Sequence, residues 1–171
     1  STKESSSFVN AILDAIYKSS LGERIDPVPL KQTAVELSKS EDMAEKAAQE
    51  KNVLIIAPSF PLKVENLHIN RAFIFFPDGN IEYQDKQMMT RFENEEWFIS
   101  TGEKNLKVFT YNNIQFGINI CYDGEFPNFA QEQSINGMQV LLHPSCTEGK
   151  TGMERVHVGA RARALENQIY V

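Results

Sequence analysis

Between Ile114 and Pro127 the chain changes character three times in quick succession, and no other stretch restricts its fold so tightly. Ile114 to Ile120 is an apolar run of strand character that ends abruptly at Cys121. A polar turn, Tyr122-Asp123-Gly124-Glu125, follows, and then Phe126-Pro127, with the proline placed as at the first turn of a helix. Strand, sharp turn and helix in that order make a nucleophile elbow. Such a turn holds a side chain at the top of a sheet, close to backbone N–H groups that favour a thiolate.

The elements around this stretch can be read in order. Phe8, Ile12, Leu13 and Ile16 predict an amphipathic helix over 7–20. Pro27 and Pro29 predict an extended connection over 25–30. A second helix is expected over 38–50, where Ser38 and Glu41 have capping-box spacing and Met43, Ala44 and Ala47 form the inner face. Residues 52–59 and 69–76 predict strands, and Pro77-Asp78-Gly79-Asn80 turns the second into a hairpin with 81–84. The irregular polar stretch 85–105 predicts a long loop, of the kind that is usually functional. Residues 106–110 and 114–120 form a second hairpin that delivers Cys121. A helix over 127–136 ends before Gly137, a buried strand follows over 138–142, and a last helix spans about 152–166. The loop His143 to Thr147 lies at a strand's carboxyl end, where open α/β sheets tend to hold ligands. Residues 168–171 open one more strand, and an unpaired apolar edge there suggests a piece of a larger fold.

Composition narrows the partners. With 171 residues and 42% hydrophobic content the chain can bury one core, so a single domain over 1–171 is expected. The net charge of -6, with no compensating basic cluster, argues against nucleic acid or an anionic membrane and leaves small molecules or proteins. No apolar run reaches the length of a membrane span, and Ser1 to Ser7 lacks a signal-peptide pattern, which predicts a soluble cytoplasmic protein. Cys121 and Cys146, the two cysteines, read as free thiols of a reducing compartment. His68, His143 and His157 show no metal-ligand spacing, so neither metal nor cofactor is expected. Nothing in the sequence orients His143 as a partner base for a papain-like pair.

Four motifs occur in register. They are Lys86 with Arg91-Phe92-Glu93-Asn94-Glu95-Glu96-Trp97; Cys121-Tyr122-Asp123 with Phe126-Pro127; Pro144-Ser145; and Ala162-Arg163-Ala164-Leu165-Glu166-Asn167. Read singly, the first is a charged surface loop and the last a helix with structural ion pairs. Together they resemble the nitrilase, or carbon-nitrogen hydrolase, superfamily from about Asn52 to Val171. The resemblance implies an α/β fold, a four-layer α-β-β-α sandwich that dimerises through sheet-flanking helices. It also implies a thiol hydrolase with a Glu, Lys, Cys triad and a second assisting glutamate.

Carried onto this sequence, the resemblance makes Cys121 the nucleophile and Lys86, with the backbone N–H of Tyr122, the stabiliser of the oxyanion. The assisting glutamate is matched to Glu95, with Glu93 and Glu96 as neighbours that also fit. Tyr122, Trp97, Phe126, Ser145, Cys146 and Thr147 are candidate pocket residues, with packing beneath loops as the plain alternative for each. Cys146 has no elbow and no lysine in its motif and is read as non-nucleophilic. The family's general-base glutamate follows an early apolar strand, and no such run precedes residue 52. The chain is therefore expected to lack the first strands and a C-terminal part of the domain, and an isolated piece without its base is expected to be inactive. Cys-Tyr-Asp is similar to the amidase and carbamoylase branches, so a small amide or N-carbamoyl substrate and a homodimer or higher homo-oligomer are implied. The competing reading is an inactive nitrilase-like module kept for binding or assembly.

Overall fold

A computed structural model describes residues 27–147 and 149–171, and the helix expected over 7–20 lies outside them. The first described element is the helix α1, Pro27–Lys51. It replaces the helix start at Ser38 and, over 27–30, the connection expected to be extended over 25–30, whose first two residues lie outside those described. Proline lacks an N–H, but the first turn of a helix has no intrahelical acceptor for that N–H, so Pro27 and Pro29 open the helix and do not break it. Ala48 is its buried contact point, while Met43, expected on the inner face, is 59% exposed.

Two sheets follow. In the first, β3 (Leu67–Phe75) is central. The short strand β1 (Ile55–Ile56) and then β2 (Phe60–Val64) run antiparallel along it, and β4 (Ile81–Asp85) pairs antiparallel on its other side. The hairpin through Gly79 is as expected, with Phe75 opposite Ile81. The strand expected over 52–59 is shorter, and β2 comes in its place beyond Pro58. Within the long loop, α2 (Arg91–Glu95) is a single short helix that the sequence reading lacks.

In the second sheet β5 (Val108–Tyr111) and β6 (Ile114–Ile118) form the expected antiparallel hairpin. A 3₁₀ turn, Cys121–Glu125, leads from β6 into α3, Pro127–Ile135. Gly137 closes α3 at φ +95°, a conformation glycine adopts without steric cost. β7 (Val140–Leu142) then pairs parallel with β6. The helix α4, Gly149–Asn167, leads to Tyr170, which makes an isolated parallel bridge to Val140.

The sheets face each other across one core. Ala72 and Ile74 of β3 pack with Phe109, Phe116, Ile118 and Ile120 from the second sheet, and the rings of Phe109 and Phe116 sit 5.4 Å apart. Fully burying a side chain of this size stabilises by about 1.5–3 kcal/mol. On the far face of the second sheet, Ala130 of α3 meets Met138 and Leu141, with Val108 and Ile169 around them. Helix α1 lies against β1 and β3, and α4 against α3 and the 3₁₀ turn. The layers are thus helix, sheet, sheet and helix. No helix among the described residues is long and apolar enough to cross a membrane.

Candidate active site

Strand alternation decides where Lys86 points. The Lys86 N–H donates to the Asn70 carbonyl at 2.8 Å, extending the β4–β3 register by one residue. Asn70 shares its face of β3 with Ala72 and Ile74, so Lys86 enters the space between the sheets while its neighbour Asp85 faces out. Outside, Asp85 accepts from Arg71 Nε at 2.6 Å and Nη2 at 3.0 Å. Inside, Lys86 is 2% exposed, and its ammonium donates to both Glu93 oxygens at 2.5 and 2.6 Å.

Glu93 is held for this role by its own helix end. Thr90 caps α2: its side chain accepts from the Glu93 N–H at 3.3 Å, and its N–H and hydroxyl donate back to Glu93 Oε2 at 2.8 and 2.9 Å. Burial pushes the Glu93 carboxyl up, but the bonds and charge of Lys86, then the Thr90 bonds, outweigh it and hold its pKa below the ordinary value. The expected position was Glu95. The structure brings Glu93 to Lys86 instead and leaves Glu95 exposed, paired with Arg91 at 2.9 Å. Glu96 is exposed as well.

Cys121 sits at φ +49°, in the left-handed region that a side chain disfavours by about 1–2 kcal/mol. Four contacts hold the turn in that shape. The Cys121 N–H donates to the Pro144 carbonyl at 2.9 Å, and the Cys121 carbonyl meets His143 Nε2 at 2.7 Å. A carbonyl only accepts, so this histidine carries its proton on Nε2. Burial lowers the His143 pKa, opposed by its bond to Cys121. A Cβ at Gly124 would run into the His143 ring, which explains the glycine there. Arg163 of α4, 5% exposed, donates from Nη1 to the Gly124 carbonyl at 3.2 Å while Glu166 holds its Nε at 2.9 Å.

The fourth contact ties the turn to the lysine. Asp123, 1% exposed, accepts from the N–H groups of Gln87 at 3.1 and 3.3 Å, Met88 at 2.7 Å and Ile120 at 3.0 Å. Its carboxylate therefore joins the residue before Cys121 to the two residues after Lys86. Burial raises its pKa to about 6 against these three bonds and the charge of Lys86. Sequence reasoning passed over Asp123, His143 and Arg163 as chemistry. Asp123 and His143 were marked only by a place beside the elbow and at a strand end, and Arg163 only by its motif, read singly as structural ion pairing.

The expected pocket residues fall into two groups. Tyr122 and Phe126 pack edge to face at 5.0 Å on the elbow, and the exposed Ser145, Cys146 and Thr147 follow β7, with the Cys146 carbonyl 3.7 Å from Cys121 Sγ. Trp97 lies just past α2, its ring 4.7 Å from that of Phe92. Among the described residues no cluster of three His, Cys, Asp or Glu side chains is arranged to hold a metal ion.

A two-sheet sandwich with helical outer layers, a cysteine on a strained strand-to-helix elbow and a buried lysine–glutamate pair define an α-β-β-α protein of hydrolase layout. Residues 21–171 match the carbon-nitrogen hydrolase family, and the chain belongs to that family. It is 40% identical over 119 residues to the probable hydrolase YhcX of Bacillus subtilis, covering 70% of this chain and 23% of that protein. To the omega-amidase NIT2-B of Xenopus laevis it is 29% identical over 142 residues, covering 78% of this chain and 51% of the relative. The crystal structure of Nit3 from Saccharomyces cerevisiae, of the nitrilase superfamily, superimposes with a TM-score of 0.68 at 26% identity, covering 77% of this chain and 48% of that one. The chain thus spans about half the length of the amidase and of Nit3.

Proposed function

We propose that the complete protein hydrolyses non-peptide carbon–nitrogen bonds of linear amides or N-carbamoyl compounds, with Cys121 as the nucleophile. The single observation that carries this reading is Asp123, which ties a thiol on a strained elbow to the segment that follows a buried, carboxylate-bound lysine. The omega-amidase names of relatives and the Cys-Tyr-Asp elbow favour amides over nitriles.

In this mechanism the Cys121 thiolate attacks the carbonyl carbon, and the Lys86 ammonium and the Tyr122 N–H stabilise the oxyanion. The N–H of Tyr122 suits this task because N–H groups in the first turn of a helix lack intrahelical partners. The C–N bond then breaks, the amine or ammonia leaves with a proton, and a thioester remains. Water hydrolyses it. The resemblance assigns both proton transfers to a glutamate base. Among the described residues the polar partner of Cys121 Sγ is the Cys146 carbonyl, and no described glutamate is bonded to it. Glu93 fixes Lys86 through two hydrogen bonds from its ammonium, the assisting role first matched to Glu95. Tyr122, Phe126, Trp97 and the loop Ser145 to Thr147 are the proposed pocket wall. We place the protein in the cytoplasm, in line with its free thiols, as a homodimer or higher homo-oligomer, in line with what the family resemblance implies.

The test is adduct trapping. Full-length protein is incubated with a short aliphatic amide or an N-carbamoyl amino acid and quenched for intact mass. An acyl adduct on Cys121 that is absent from Cys121→Ala is expected. An adduct of equal yield in Cys121→Ala overturns the nucleophile, and bound substrate with neither adduct nor product supports the inactive binding module.

A further inference from the structure

Cys121 and Cys146 lie 25 positions apart, and both are free thiols. The parallel pairing of β6 with β7 brings them together. Beyond the last ladder pair, Ile118 with Leu142, the strands continue to bond through Asn119 N–H to Leu142 O at 3.1 Å and Cys121 N–H to Pro144 O at 2.9 Å. Cys121 Sγ then lies 3.7 Å from the Cys146 carbonyl oxygen. Bond lengths limit the two Cα atoms to a separation of at most about 9 Å. A disulfide spans up to about 7 Å. Residues 143–147 are neither helix nor strand, and Ser145, Cys146 and Thr147 are exposed, so this segment can close the difference. The proposed hydrolysis makes no use of the Cys146 thiol.

We propose that Cys146 is the resolving thiol of Cys121 and that hydroperoxides convert the pair into an intramolecular disulfide. The Cys121 thiolate attacks a peroxide oxygen, the O–O bond breaks, and the sulfur becomes a sulfenic acid as the peroxide is reduced to hydroxide or alcohol. The Cys146 thiol then attacks that sulfur, the S–O bond breaks, and the disulfide forms with loss of water. A dithiol reductant returns both thiols. The half-buried Cys121 stays open to small peroxides, and the exposed Cys146 meets the sulfenic acid before a second peroxide converts it irreversibly to sulfinic acid. A transient, redox-responsive bond is also the kind of disulfide a reducing compartment permits. This proposal rests on the placement of the two thiols and holds whether or not the protein hydrolyses amides.

The experiment uses the full chain, reduced, freed of reductant and exposed to hydrogen peroxide. Remaining thiols are alkylated and peptides are mapped without reduction. Expected are loss of both thiols together, one cross-linked peptide pair containing Cys121 and Cys146 within single chains, and recovery of both thiols with dithiothreitol. In Cys146→Ser, a substitution at an exposed position with folding checked by circular dichroism, Cys121 is expected to accumulate as sulfinic acid that dithiothreitol does not reverse. In Cys121→Ser, Cys146 is expected to stay reduced at the same dose. Sulfinic acid at Cys121 in the unsubstituted chain to the same extent as in Cys146→Ser overturns the proposal. So do a cross-link found only between chains and oxidation of Cys146 at full rate in Cys121→Ser.

Discussion

Glu93 and Glu95 stand two positions apart on the same short helix, α2, and each makes an ion pair, yet their surroundings are opposite. The side chains of Lys86 and Glu93 are 2% and 11% exposed, whereas those of Arg91 and Glu95 are 88% and 56% exposed. Water screens the outer pair, so it is worth between nothing and about 1 kcal/mol. The inner pair has no such screen, and an ammonium left alone there carries its full desolvation cost. The difference teaches that the acidic loop divides its labour: one glutamate fixes the lysine of the site and the other decorates the surface. Distance along the chain from Trp97 does not separate them, but the capping box of Thr90 with Glu93 does.

The comparison breaks most easily at Glu93. Glu93→Gln keeps the shape and removes the charge, leaving Lys86 buried with a neutral amide. We expect a loss of about 3–5 kcal/mol in denaturant unfolding and a fall in turnover by the complete protein of roughly a hundredfold or more. Stability and activity both within error of wild type would show that the buried pair has no such weight.

Asp123 sharpens the contrast among buried carboxylates. Asp123→Asn replaces one acceptor oxygen with an NH₂ group facing backbone N–H donors, and about 1–3 kcal/mol is expected to be lost. The pH dependence separates the two acids. The Asp123 pKa is raised from 3.8 to about 6 on folding, so its contribution to stability is fully present below 3.8 and is lost as pH rises through 6. For Glu93 the folded pKa lies below 4.5, so its contribution is present above 4.5 and is lost as pH falls through the folded value. Unfolding free energies measured from pH 4 to 7 should therefore carry a downward component toward neutrality that is missing in Asp123→Asn. An unchanged slope in the variant would assign that component to another group.

The elements that were legible in the sequence are those with a local signature. Gly79 and Gly137 mark turns that the structure keeps, Pro127 opens α3, and the apolar run into Cys121 becomes β6 and the elbow. Pro27 and Pro29 misled because proline forbids a helix interior but suits a helix start, and the residues themselves do not say which applies. β2 escaped notice because Pro61 interrupts it, which an edge strand tolerates and a central strand does not. For the site, Cys121 stood out by its place on the elbow, and Lys86 by the resemblance that its motif carries. Glu93 had a local signal in Thr90-x-x-Glu93, a capping-box spacing inside an expected loop. Asp123 and His143 act through contacts 35 and 22 positions away, and only the tertiary fold supplies those.

The smallest expected effect is at Glu95, and it decides between the two glutamates. Glu95→Gln removes one half of a pair that solvent already screens, so unfolding free energy should change by no more than about 0.5 kcal/mol. Turnover by the complete protein should stay within about twofold of wild type, since a few tenths of a kcal/mol is all an exposed pair supplies. Measured beside Glu93→Gln in the same buffer, the two substitutions change the same functional group on the same helix, so helix propensity and net charge cancel between them. A large loss at Glu95 with little at Glu93 would return the assisting role to the position first matched from sequence.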